Sequence, residues 1–528
     1  MFRLLKKSTQ FWWVAFVTIL VISNAGAAEL IVGARAEPSI DPHFLFVDTN
    51  VAYSKHIYGT LVELDENMRT MPSLATSWKA IDDTTWEFVL RRGVKFHDGT
   101  DFTAEDVYFS INRVPNVPNN PAPYSSLTRS IIDMEIVNPY TILLKTDKAH
   151  PTLPPQLAGV IMISKKASEK ATTADFTSGK AAIGTGPFKF VKYVPGDRLV
   201  VKRNPNYWGK KPAWDSVTFK IITNDAARVA ALMGKAVDII DYVPPVQVET
   251  LKKDKDIRVF TCPSNRVIYF MPDHGRDRTP FVTQKDGKPL DKNPLKDLRV
   301  RKAISMAIDR NAICKHTMAG LAKPVGQLVP EGFFGYNPKI KVDKYDPAGA
   351  KKLLAEAGYP NGFGLTVHGP NDRYVNDGKI CEAVGQMLAR IGLAIKVETM
   401  PKSIYWPRMS RGRNELSFML IGIGTSSGES TDNLANLLHS YNKRLGLGVF
   451  NRVGYSNPEL DRYVDQAVKT LDPVKREQLL YTAMEIVMND QAIIPLHSQF
   501  TIVAARKGLT YTPRADEKFL AMGVRPAR

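Results

Sequence analysis

Thr85-Trp86-Glu87-Phe88-Val89-Leu90-Arg91-Arg92-Gly93-Val94-Lys95-Phe96-His97-Asp98-Gly99-Thr100-Asp101-Phe102-Thr103-Ala104-Glu105-Asp106-Val107 holds a strand, a turn and a helix start in one short stretch. From Thr85 to Leu90 polar and apolar residues alternate, the period of a strand with one buried face. Val94-Lys95-Phe96 continues the alternation, and His97-Asp98-Gly99 supplies a turn whose glycine can take positive φ. Thr103, three residues before Asp106, opens a helix as a capping box: the hydroxyl accepts from the amide three residues on, and the acid reaches back.

Outward from this unit, strands and helices alternate without an internal repeat. Phe188 to Tyr193 and Leu199 to Lys202 read as a hairpin around Pro195-Gly196-Asp197. Asp346-Pro347 starts a helix that Gly358 ends, because glycine takes the left-handed cap without a Cβ penalty. Asn457-Pro458 and Asp472-Pro473 repeat the device. Leu460, Tyr463, Val464, Ala467 and Val468 then form one apolar stripe for a core. The mixture is α/β, and at about 150 residues per domain the 528 residues hold about three or four folding units. Ligand sites prefer the clefts between such units.

With 44% hydrophobic and 23% charged residues the chain is neither disordered nor collagenous. Its 71 Lys+Arg against 53 Asp+Glu give +18. The surplus is scattered as single residues and pairs such as Arg91-Arg92, Lys165-Lys166, Lys252-Lys253 and Lys351-Lys352. Nucleic-acid binders instead gather charge on one face, so no nucleic-acid partner is expected. The surplus reads as a solvated surface, or as attraction to anionic ligands or lipid headgroups. Cys262, Cys314 and Cys381 form no CxxC; one pair could bridge in an oxidising space, or all three are buried thiols.

Arg3, Lys6 and Lys7 precede an apolar run from Phe11 to Ser23, followed by small Asn24-Ala25-Gly26-Ala27-Ala28. That is the layout of a cleaved signal peptide, expected at 1–28. The run is shorter than the ~20 residues a membrane span needs. Removing the three basic residues leaves +15 on the mature chain. No cysteine follows the run to take a lipid anchor, so a soluble periplasmic protein is expected.

Gly424-Thr425-Ser426-Ser427-Gly428 matches the G-x-S-x-G elbow of a serine hydrolase and follows apolar Phe418-Met419-Leu420-Ile421. Asp432 with His439 or His497 would complete a triad around Ser426. No oxyanion loop accompanies it, and Asp432 and His439 follow too soon. Gly184-Thr185-Gly186-Pro187-Phe188 has two glycines of a dinucleotide loop, but Lys189 replaces the third. Nine histidines stand singly, with no H-x-x-x-H pair, so neither a metal nor a cofactor is expected. With no convincing catalytic constellation, a binding role is favoured and enzymatic activity is not expected.

Leu61-Val62-Glu63, Pro72-Ser73-Leu74-Ala75-Thr76-Ser77-Trp78 and the opening stretch occur in an order that resembles the extracellular solute-binding proteins of the peptide/nickel class (family 5), which feed ABC importers. Gly184-Thr185-Gly186-Pro187-Phe188, Asn204-Pro205-Asn206-Tyr207-Trp208, Arg299-Val300-Arg301-Lys302-Ala303-Ile304-Ser305, Asp346-Pro347 to Gly358-Tyr359, and Ile494-Pro495-Leu496 continue it over essentially the whole mature chain. The resemblance implies a large two-lobed periplasmic binding protein (type II, peptide-binding-like) with an extra domain and a hinged interlobe cleft. Lobe I would comprise 29–70, 186–275 and 490–528, the extra domain 71–185, and lobe II 276–489. A monomer would close on a peptide or peptide-like solute, then dock on an inner-membrane permease powered by separate ATPase subunits.

For the solute, the resemblance implies a carboxylate clamp at Arg373, in Asn371-Asp372-Arg373-Tyr374-Val375-Asn376, with Tyr374 beside it. A guanidinium fork matches a carboxylate with two parallel hydrogen bonds. Where peptide binders carry an acid for the ligand ammonium, Thr425 stands here, and a hydroxyl lacks that counter-charge. Ser426 lies beside it, and Glu429 or Asp432 are substitutes if the loop is re-routed. An opine, sugar conjugate or other anionic solute is therefore an alternative. Tyr405 and Trp406 fall where relatives place aromatic cleft walls, or are core. Glu37, Asn50 and Tyr53 are further contacts at the lobe edge. No histidine cluster supports nickel.

Overall fold

The computed structural model describes residues 28–527 except 123, 411, 412 and 414; the expected signal peptide lies outside the described residues apart from its last position. Strand Thr85–Leu90 buries Trp86, Phe88 and Leu90 on one face, as the alternation requires. It joins a four-stranded antiparallel sheet with Ala75–Ala80, Thr141–Thr146 and Ile131–Asn138. Asp106 accepts the Thr103 amide at 2.9 Å, and the helix Ala104–Arg113 lays Val107 and Ile111 on the same core as Phe88 and Leu144. Val94 to Phe96 does not prolong the strand. The chain turns at Arg91 to Gly93, Lys95 only bridges Asp101, and Phe96 donates to the Thr100 carbonyl at 2.8 Å. The strand ends because its partner strand does: Leu90 already bonds to the Tyr140 carbonyl in the connecting turn.

The glycines of the Gly184-Thr185-Gly186 motif serve a close backbone approach. A Cβ on Gly184 would stand 2.0 Å from the Ile57 carbonyl oxygen, and one on Gly186 2.5 Å from the Ile57 carbonyl carbon. The Gly186 amide donates to that carbonyl at 2.9 Å. His97 clasps the loop from the other side. Its Nδ1 accepts from the Gly184 amide at 3.3 Å and its Nε2 meets the Gly186 carbonyl at 3.1 Å, an arrangement that needs a neutral ring. Thus the turn quoted at the outset and the would-be nucleotide motif are two halves of one joint. Gly184→Ala is expected to destabilise by about 1–3 kcal/mol through this overpacking, read as a lower urea midpoint; an unchanged midpoint would refute the close approach.

A twelve-stranded sheet carries the rest. One half runs Phe188–Val194, Arg198–Arg203, Ser216–Ile221, Glu29–Ala34 and Ile239–Ile240; the first two are the expected hairpin. The other half centres on Gly364–Pro370, parallel to both Ala394–Met400 and Phe418–Ile423. Strands Ile257–Pro272 and Ile494–Arg506 traverse both halves side by side. Their ladder holds from Ile257 opposite Arg506 to Pro263 opposite Phe500, breaks, and resumes at Val267 opposite Ser498. On the far side of the break, Tyr269 and Met271 enter one core while Ile268 and Phe270 enter another. Met419 and Ile421 divide from Phe418 and Leu420 in the same way. A strand covered on both faces is why Phe418 to Ile421 reads as a continuous apolar run.

The proline-led helices appear as expected: Asp346 accepts from the Gly349 amide, Asn457 from those of Glu459 and Leu460, and Asp472 from that of Lys475. The cysteines are three free thiols; burial pushes Cys262 up to about 11 and Cys314 to about 12. The architecture is α/β, two sheet halves joined by crossing strands.

Candidate functional site

Where the crossing ladder breaks, polar residues replace apolar ones. Asn265 donates from Nδ2 to the Thr425 carbonyl at 2.7 Å, and its amide donates to Ala515 at 2.8 Å. Asn265 thereby ties the crossing strand to the loop after Phe418–Ile423 through its side chain and to the C-terminal segment through its backbone. Next to it, Arg266 pairs with Glu517 (Nη2 to Oε2, 2.9 Å), whose Oε1 also accepts from Gln499 at 2.8 Å. Burial pushes the Glu517 carboxyl up, but Arg266 and Gln499 outweigh it and hold it at about 2. Glu517 sits at φ +59°, a left-handed conformation its side-chain bonds keep in place.

Across from this pair lies Tyr374. Its hydroxyl donates to the Gly422 carbonyl at 3.1 Å, and its ring lies so close that a Cβ on Gly422 would stand 2.8 Å from it. The Asp377 carboxylate accepts from the amides of Arg373 and Tyr374, both at 2.9 Å, fixing this corner. The Arg373 guanidinium is exposed, 5.1 Å from the Tyr374 ring centroid, and forms no ion pair among the described residues. The charges of Arg373 and Arg266 both act on the Tyr374 phenol. Half-buried Arg452 in turn feels the hydroxyls of Tyr269, Tyr374 and Tyr405.

The other sequence candidates are differently employed. Thr425 is buried, its hydroxyl accepting from the Glu429 amide at 3.2 Å. Glu429 lines a cavity of about 570 Å³ with Met68 and Phe334, yet its carboxylate is taken by Arg476 at 2.9 Å. Asp432 accepts from Ser427 at 2.9 Å. Neither acid is re-routed towards Tyr374. Ser426 is exposed, and no described hydrogen bond joins it to a histidine ring; His439 turns to Asp461 and Asp465, and His497 is fully buried. The hydrolase triad is not assembled. Tyr405 is core: it is fully buried, donating to the Leu420 carbonyl at 3.0 Å, while Trp406 is half-buried against both cores of that half. Tyr405 therefore presents no ring face to a cleft here. Asn50 is also buried, its side chain bonded to Ser39 and Leu45. Tyr53 donates to Ala36 at 2.7 Å and lines a small cavity with Glu517. Exposed Glu37 holds Tyr193 and the Gly196 amide. Arg266, Asn265, Glu517 and Arg452 escaped the sequence reading, since single residues in unpatterned segments carry no motif.

Two sheet halves joined by crossing strands, with polar groups gathered at the crossing, define a large periplasmic binding protein. The family described as bacterial extracellular solute-binding proteins, family 5 Middle, matches residues 69–444, and the chain belongs to it. It is the substrate-binding component of an ABC importer. The glutathione-binding protein GsiB of Shigella dysenteriae is 31% identical over 503 residues, 94% of each chain; that of Escherichia coli K12 is 31% identical over 502 residues, 93% of each. In fold it is similar to HbpA2 from Haemophilus parasuis (TM-score 0.80, 22% identity, covering 95% of this chain and 100% of that one). The unliganded open form of the murein tripeptide binding protein MppA is also similar (TM-score 0.79, 23% identity, 95% and 98%). No helix among the described residues is long and apolar enough to cross a membrane.

Proposed function

We propose that the chain captures a small anionic peptide-like solute of the glutathione type at the crossing of its two halves and delivers it to a membrane permease. The observation that carries this is an imbalance of charge around Tyr374. Asp377 is bound to the backbone amides of Arg373 and Tyr374, and Glu517 to Arg266, whereas Arg373 has no ion-pair partner among the described residues. Thr425 offers no counter-charge to a free ammonium, which favours a solute whose carboxylates dominate. The likeness to GsiB, named for glutathione, supports the same class.

In this reading the mature protein is a periplasmic monomer released from a signal peptide at 1–28. Lobe I comprises 29–70, 186–275 and 490–528, the extra domain 71–185, and lobe II 276–489. Arg373 clamps a carboxylate, with Tyr374, Trp406 and Ser426 at its margin. Isothermal titration tests the reading: glutathione is expected to bind and a neutral dipeptide to bind far more weakly. Arg373→Ala is expected to lower glutathione affinity about 10- to 100-fold, the worth of a charge-assisted hydrogen bond. Unchanged affinity in that variant would remove Arg373 from the site.

A further inference from the structure

We infer that Phe333 is the side chain by which lobe II closes on the extra domain, and that this contact sets how firmly the solute is held. The inference rests on the proposed lobes and adds a positioning residue to the solute-binding role.

The Phe333 ring belongs to two cores. It packs against the lobe II core of Met419, Leu434 and Met484 and against the extra-domain core of Phe88, Phe102 and Leu144. A turn presents it: its amide donates to the Pro330 carbonyl at 3.3 Å, with Gly332 at φ +93°. Two further loops of lobe II reach the extra domain. Leu471 packs against the same extra-domain core, and the Leu445 carbonyl accepts from Lys148 Nζ at 3.3 Å. Chain connectivity does not impose these contacts, because the chain leaves the extra domain and passes through lobe I before it enters lobe II. The seam is also loosely filled. Phe333 and Leu471 stay half-buried, and a cavity of about 570 Å³ adjoins the ring, lined by Met68, Arg69, Phe333, Phe334 and Tyr481. A permanent interior is close-packed, whereas a seam with a void and a polar contact at its rim suits surfaces that part.

Phe333 is also joined to the loop that carries Ser426. Its neighbour Phe334 donates to the Gly428 carbonyl at 3.3 Å and accepts from the Ser430 amide at 2.9 Å. The Arg476 guanidinium lies 4.8 Å from the Phe334 ring centroid and holds Glu429 at 2.9 Å. The same loop includes Thr425, whose carbonyl takes the Asn265 side chain at the ladder break. Ser426 and Phe333 therefore move as one body. The ring meets the extra domain only in the closed form. It thus shifts the balance between open and closed forms, and with it the apparent affinity, without touching the solute.

The test is isothermal titration of the full mature chain with glutathione. Phe333→Ala is expected to weaken binding about 5- to 20-fold, the worth of partly burying one aromatic ring. It is also expected to make the heat capacity of binding less negative, because closure then buries less apolar surface. Phe333→Leu is expected to recover most of both. Arg373→Ala, by contrast, weakens binding and leaves the heat capacity near that of the wild type. Unchanged affinity in Phe333→Ala, or weaker binding with an unchanged heat capacity, overturns the role of Phe333 and leaves the proposed class standing. If the wild type does not bind glutathione, the proposed class fails, and closure is read without solute. Lys148→Cys and Leu445→Cys are then combined with Cys262→Ser, which removes the one thiol that is not buried, and joined by a bismaleimide. Adding Phe333→Ala is expected to slow the cross-link several-fold. Equal rates, or no cross-link with Phe333 in place, overturn the inference.

Discussion

Acidifying the protein from about pH 7.5 to about pH 5 is expected to remove several kcal/mol of its stability. Of its nine histidines, seven are held neutral by their surroundings, chiefly by burial. His43, His56, His97, His150 and His368 are pulled down to about 4, and His274 and His497 to about 3. An unfolded chain protonates its histidines near 6.5, so below that pH it binds more protons than the folded one. The stability these residues contribute is complete above pH 6.5 and drains away as the pH falls towards 4. Each costs at most about 1.4 kcal/mol per pH unit in that window, and less near 6.5, where the unfolded chain is only half protonated. Glu429 works in the opposite sense: burial raises it to about 7, so its protonation favours the fold as the pH drops. Burial raises Asp106, Asp241, Asp377 and Asp432 in the same sense, but these five acids do not offset seven histidines. Urea unfolding at the two pH values measures the difference, and coincident midpoints would contradict it. His97 gives the loss a location, because a proton on Nδ1 abolishes the acceptor that holds the Gly184 amide.

Asp516→Ala is expected to cost about 3–5 kcal/mol, the penalty for stranding a buried charge. Asp516 is 5% exposed and takes a two-pronged contact from Arg514, Nε to Oδ1 at 3.0 Å and Nη2 to Oδ2 at 2.9 Å. Burial pushes the Asp516 carboxyl up, but Lys518 and Arg514 overcome it and hold it at about 2. The same Arg514 Nη2 donates to the Leu64 carbonyl at 2.8 Å, fastening the C-terminal segment to a hairpin near the N-terminus. Removing the carboxylate leaves Arg514 and Lys518 facing each other. Asp516→Asn, which keeps the shape and loses the charge, should also be strongly destabilising. Asp291→Ala breaks the exposed Arg278 pair and should leave the urea midpoint unmoved. Equal effects from Asp516 and Asp291 would show that burial does not set the cost.

The contrast between these residues also explains what could be read from sequence. Thr85–Leu90, the capping box at Thr103 and the caps at Asp346, Asn457 and Asp472 were legible because each depends on neighbours within four residues. Val94 to Phe96 misled because alternation is local while strand pairing is not; its partner strand had already ended. Arg266 with Glu517 and Arg514 with Leu64 join residues hundreds of positions apart, and no spacing rule reaches so far. Tyr405 and Trp406 are adjacent in sequence, but the helix Lys402–Met409 turns one into the core and leaves the other half-buried. Arg373 was legible only through resemblance.

The crossing strands Ile257–Pro272 and Ile494–Arg506 carry a mechanical consequence. Neighbouring strands in one ladder behave as a ribbon, stiff within its plane and compliant to twist and to bending across its faces. Sliding one past the other would break every rung, so the paired strands resist shear along their length. The rungs are missing between Pro263 and Val267, where twist meets least resistance. Asn265 and Arg266 lie within that gap and bind the loop at Thr425 and the C-terminal Glu517. The gap in the ladder thus holds the two residues that tie the crossing strands to that loop and to the C-terminal segment.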